Sequence, residues 1–173
     1  MTAQDSRPVT VILSRVPSDH PWADYRWSCI GVVPADENDD GAPRVILKTE
    51  TETQFSVGPL RIELYRGETG GYLRNLSQPS PSVYVALRDG EADDPLDRVP
   101  FLATVCPYEA EKYVEDGAET VDSVPLPPTI AAWVQAFVEA HHVEETFIKR
   151  KRGPKRQRAE PFSAIPRVSR NDR

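Results

Sequence analysis

Six segments of alternating or β-branched residues constrain this chain most, because the connections between them read as turns too short for a crossover helix. Val9–Val16 is rich in Val, Thr, Ile and Leu and reads as a strand. Residues 17–21 hold two prolines, Ser and Asp, and so form a turn. Tyr25–Val33 reads as a second strand closed by Pro34. Arg44–Lys48 and Gln54–Tyr65 follow, the longer one expected to be broken at Gly58-Pro59. In that segment Leu60, Ile62 and Leu64 alternate with Arg61, Glu63 and Tyr65, which turns one face inward and one to solvent. Ser82–Arg88 and Val99–Val105 complete the set, and Val121–Val124 is a possible last short strand. Short connections favour antiparallel pairing. The expected architecture is α+β: an antiparallel β-sheet or small open barrel of about six strands, packed by a short helix and a longer C-terminal helix.

The short helix is expected to begin at Cys106-Pro107-Tyr108-Glu109, with Pro at the first helical position and Glu at the spacing of a capping box. Cys106 then stands where a serine-like cap belongs. The long helix is expected from Ile130 to Ile148. At 100° per residue His141 and Glu145 fall within its apolar stripe, one turn apart, while His142 and Glu144 point elsewhere. The pair is expected to be structural, with Glu145 fixing the imidazole tautomer. Its alternative is half of a metal site, short of the three or four ligands that zinc takes.

With 173 residues the chain suits one domain. Residues 1–8 are expected to be a flexible N-terminus, 9–152 the domain, and 153–173 a disordered basic tail too polar to offset its ordering entropy. Charge is divided unevenly. Residues 149–173 hold ten Lys/Arg and two acidic residues, a net +8, against 11 and 25 in residues 1–148, a net −14. The run Lys149-Arg150-Lys151-Arg152 is therefore expected to contact an acidic protein or simply to be solvated. Nucleic acid is the weaker partner, because no base-reading motif occurs and the body would repel phosphates. Two cysteines make no disulfide framework, and the N-terminus has no apolar signal region. No apolar run approaches the length of a membrane span, so a cytoplasmic protein without membrane insertion is expected.

No catalytic constellation is complete. Asp36-Glu37-Asn38-Asp39-Asp40-Gly41 opens like a calcium loop, but Leu47 stands where the bidentate Glu is needed, so an acidic hairpin loop is expected. Arg66-Gly67-Glu68-Thr69-Gly70-Gly71 matches no phosphate-binding pattern and reads as a flexible turn. Cys106 has no neighbouring base in sequence, so it does not read as a nucleophile. Trp22, Tyr25, Arg26 and Trp27 form an aromatic-basic cluster of the residue types that dominate binding hot spots. Alternation puts Tyr25 and Trp27 on one face and Arg26 on the other, with Trp27 expected to pack and Trp22 to be exposed.

Several motifs together resemble one family. They are His20-Pro21-Trp22-Ala23-Asp24-Tyr25-Arg26-Trp27, Tyr65-Arg66-Gly67-Glu68-Thr69 with Tyr72 and Asn75-Leu76, and Pro81-Ser82-Val83-Tyr84-Val85. Pro107-Tyr108-Glu109-Ala110 and Val138–Glu145 with Phe147 and Lys149–Arg152 complete the set. The chain resembles the prokaryotic domain-of-unknown-function family 3305, and departs from it at Cys106, where Ser is expected. The resemblance implies genes beside those of formate dehydrogenase, and hence an accessory role for a molybdenum or tungsten enzyme. It also adds Glu68 and Tyr72 to Trp22, Arg26 and Lys149–Arg152 as candidate partner contacts. The expectation is a non-enzymatic, cofactor-free assembly protein that docks on an oxidoreductase subunit or maturation factor. The alternatives are a small metal- or cofactor-binding protein using His141 and Glu145, and nucleic-acid binding through the tail.

Overall fold

A computed structural model describes residues 4–115 and 120–144. The described residues up to Val143 belong to one compact unit. Among the described residues, seven strands and three α-helices make an α+β arrangement, with four strands ahead of the first helix. The strands form two antiparallel sheets that do not close into a barrel.

The first sheet has the order β2-β1-β4-β3, built from β1 (Asp5–Pro17), β2 (Tyr25–Pro34), β3 (Arg44–Lys48) and β4 (Thr53–Leu64). Residues 5–8, expected in a flexible N-terminus, belong to β1 and pair with residues 61–64. Gly58-Pro59 does not break β4. A register shift between Val9 and Val11 absorbs the irregularity, and the strand continues to Leu64. The acidic loop at 35–43 is not a hairpin either, since β3 pairs with β4 and not with β2.

The second sheet has the order β6-β5-β7, from β5 (Ser82–Asp89), β6 (Arg98–Thr104) and β7 (Thr120–Pro125). β2 lies against β7 and β4 against β6. Val9, Val11 and Leu13 of β1, Ile62 and Leu64 of β4, and Val83, Val85 and Leu87 of β5 are all fully buried in one core. Each such aliphatic side chain contributes about 1.5–3 kcal/mol of burial free energy.

The glycine-rich stretch is helical rather than a flexible turn. A single 3-10 turn at Arg66–Glu68 leads into α1 (Thr69–Leu76). Gly71 is required by close packing: a Cβ there would lie 2.7 Å from Cys106 Sγ and 3.1 Å from a Tyr108 ring carbon. α1 is bolted to the second sheet by Asn75, which is buried. Its amide donates to the carbonyls of Ser82 (2.7 Å) and Val105 (2.9 Å), and its oxygen accepts from Ser82 N–H (3.0 Å).

α2 (Pro107–Glu115) packs on the second sheet, with Tyr113 edge-on to Phe101. α3 (Pro128–His141) packs on α1 and reaches the start of β1. There Trp133 Nε1 donates to Asp5 at 2.8 Å, and the Arg7 guanidinium lies 5.1 Å from the Trp133 ring. The long helix stops at His141, not Ile148. His142 is already extended, and its N–H closes on Val138 O at 2.7 Å.

Asn75 satisfies three backbone groups in a buried setting, so its removal strands them. Asn75→Ala is expected to lower the free energy of unfolding by about 2–4 kcal/mol, read from urea denaturation.

Candidate functional site

Among the described residues, the end of the first sheet farthest from α3 carries a concentration of aromatic and basic side chains that the sequence marks. In β1 the apolar phase Val9, Val11, Leu13 is continued by a charged residue, Arg15. Register sets Arg15 opposite Trp27, with Tyr25 opposite Pro17 and Phe55 opposite Leu13. The Arg15 guanidinium therefore lies on three rings, 4.5 Å from the Tyr25 centroid, 5.2 Å from Phe55 and 5.6 Å from Trp27. Trp27 and Phe55 are themselves stacked at 5.5 Å. Among the described residues Arg15 has no carboxylate partner, and its buried Nε has no hydrogen-bond acceptor. The ring quadrupoles hold the charge instead.

Residues 18–24 rise from this base as a braced loop. Ser18 N–H donates to Asp24 O at 2.9 Å, Ala23 N–H to His20 O, and His20 N–H to Ser18 Oγ at 3.1 Å. Trp22 stands at its tip, 87% exposed. Arg26 is also exposed and points to the opposite face from Tyr25 and Trp27. Between this loop and the β5–β6 connection lies a cleft of about 250 Å³ lined by Asp24, Tyr25, Trp27, Asp89, Asp97 and Arg98, with Ala23 at its rim. Arg98 is spoken for, bonded to Asp89 and to Thr120 Oγ1.

The other marked residues sit elsewhere and act differently. Tyr72 is fully buried, so it presents no surface to a partner. Its hydroxyl donates to Glu68 at 3.2 Å and accepts from Tyr65 N–H at 3.0 Å, and burial together with Glu68 pushes its pKa up. Glu68 is half-buried and serves as that acceptor. Tyr72 is thus an internal strut, and half-buried Glu68 braces its hydroxyl.

Cys106 is buried, and burial, more than any neighbouring charge, raises its pKa. The backbone N–H groups of Glu109 and Tyr108 at the start of α2 act in the opposite sense and lower it. The capping box is relayed: Thr104 Oγ1 accepts from Cys106 N–H and donates to the Glu109 carboxylate. Cys29 is likewise buried, and desolvation pushes it up to about 12.

His141 ends α3 with its ring 4.6 Å from Phe137, while His142 Nδ1 contacts Thr69 Oγ1 at 3.1 Å. Thr69 Oγ1 also donates to Arg66 O at 3.2 Å. Thus His142, expected to point away, is the histidine tied to the body. Glu145 and Lys149–Arg152 lie outside the described residues, and the helical geometry that paired His141 with Glu145 ends at His141. Among the described residues no three of His, Cys, Asp and Glu converge as metal ligands.

The acidic loop binds its own backbone. Asp36, Asp39 and Asp40 accept from the N–H groups of Asn38, Gly41 and Ala42, and Arg44 pairs with Asp40 at 2.9 Å. The Ala42 N–H and Arg44 hold the Asp40 carboxyl below its usual range. Gly41 adopts a φ of +72°, and any Cβ would strike Gly58 O.

Residues 8–151 match a family described as "Protein of unknown function (DUF3305)". The chain belongs to that family. Neither a curated protein nor a solved structure matches it. The motifs marked in the sequence divide in space: those around residues 65–76 and 107–110 build the α1–α2 joint, and His20–Trp27 builds the exposed end. No helix among the described residues is long and apolar enough to cross a membrane.

Both thiols are expected to resist a disulfide reagent in the folded protein and to react in denaturant. Unfolded thiols ionise near 9.0, whereas folded Cys29 keeps its proton to about 12. In that window the unfolded chain binds fewer protons, so stability falls as pH rises. Denaturation midpoints measured above pH 9.0 check this, and Cys29→Ala should flatten the decline.

Proposed function

We propose that this protein is a non-catalytic docking protein for the assembly of a molybdenum-dependent oxidoreductase such as formate dehydrogenase, contacting a subunit or maturation factor through its Trp22 end. The observation that carries the proposal is Trp22, 87% exposed on a loop fixed by its own hydrogen bonds. An indole carried on a braced loop costs little backbone entropy to bury against a partner, and Trp, Tyr and Arg are the side chains that anchor interfaces. Arg15, Tyr25 and Trp27 give the loop a stiff base, and exposed Arg26 adds a further donor. The family's implied setting beside formate dehydrogenase genes supplies the class of partner. Both thiols are buried and protonated, which supports a role without covalent chemistry.

The test is affinity capture from cells making the dehydrogenase. Recovery of a dehydrogenase subunit or maturation factor by the wild-type chain is expected. Trp22→Ala should reduce that recovery about tenfold or more, with an unchanged melting temperature. Failure to recover either class of protein while the enzyme is being made would overturn the proposal.

A further inference from the structure

Among the described strands, β3 is the one that the packing leaves open along its length. It pairs with β4 alone, and all five of its residues are exposed. The other end of the same sheet is covered differently: β2 lies against β7, where Asp122 caps the Cys29 N–H at 2.7 Å. Val45, Ile46 and Leu47 stand 56%, 53% and 41% exposed, flanked by Arg44 and Lys48. An uncovered apolar edge strand is a template for another strand.

We propose that β3 pairs with β3 of a second copy, antiparallel about a two-fold axis at Ile46. The sequence Arg-Val-Ile-Leu-Lys is close to a palindrome in character, so Val45 meets Leu47 of the other copy and Ile46 meets its own counterpart. Arg44 would then face Lys48, and like charges opposed across a ladder are unfavourable. The preceding loop answers this: Asp40 and Asp39 lie 2.9 and 4.0 Å from Arg44, which brings two carboxylates beside the incoming Lys48. Among the described residues Lys48 has no ion-pair partner within one copy. A foreign strand would need to supply that match, whereas a second copy carries it.

The register shift between Val45 and Leu47 marks a bulge at Ile46, which bends the edge and keeps the paired stretch short. A short two-fold contact uses both edges and closes, so it does not propagate into a fibre. The contact is independent of the Trp22 loop and stands whether or not that loop docks a partner.

Sedimentation of the full chain at about 100 μM should give the mass of two chains, falling toward one on dilution. Ile46→Lys should give one chain at that concentration with an unchanged circular dichroism spectrum. Ile46→Cys should form an interchain disulfide under mild oxidation, because facing residues in an antiparallel pair lie within disulfide reach. Val33→Cys, an exposed residue on β2, should not. A one-chain mass for the wild type at the same concentration, or a dimer that survives Ile46→Lys, would overturn the proposal.

Discussion

The buried amide of Asn75 is the constraint on which the helical half of the molecule depends. It holds the start of β5 and the segment after β6 to α1 through three hydrogen bonds. One turn earlier Tyr72 reaches the backbone at Tyr65 and the carboxylate of Glu68, and its ring meets Phe137 of α3 edge-on at 6.3 Å. Such groups must be fully paired, because an unmade buried bond costs more than a made one contributes. α1 can come this close to α2 only because Gly71 has no side chain to strike Cys106. The joint therefore explains together why glycine, tyrosine, asparagine and a small buried thiol occupy these positions.

At the other end of β1, about 33 Å along the strand from Asp5 to Arg15, the physics is different. A charge occupies an inward phase, and aromatic faces take the place of a counter-ion. Carboxylates are plentiful nearby, yet Asp89 pairs with Arg98 and Glu52 accepts from Ser14 and Gln54. The outcome is a stiff aromatic base under an exposed tryptophan. One end of the protein is closed by satisfied polar groups, and the other is left with apolar surface in water.

The strands were legible because alternation and turn clusters are local signals. Arg44–Lys48 was located to the residue and the other strands to within one residue at each end, except β1, which begins at Asp5, four residues before the expected Val9. α1 was not legible, since Gly70 and Gly71 each cost a helix about 1 kcal/mol and only tertiary packing repays them. Division into two sheets was hidden as well, because β1 pairs with β4 across two intervening strands. α3 was overrun because its apolar periodicity continues to Ile148 while no glycine marks the stop at His141. In the candidate site Trp22 was legible from composition. Arg15 was missed, although its phase with Val11 and Leu13 was visible in the sequence. Tyr72 was misplaced on a surface, because a motif does not distinguish an internal strut from a contact.

Hydrogen–deuterium exchange on the protein alone and bound to its captured partner tests this division of labour most directly. The account predicts slow exchange at Tyr65 and Ser82 N–H in both states, and new protection on binding confined to residues 18–27. Protection that appears instead across residues 65–76 and 106–110, with residues 18–27 unchanged, would contradict it.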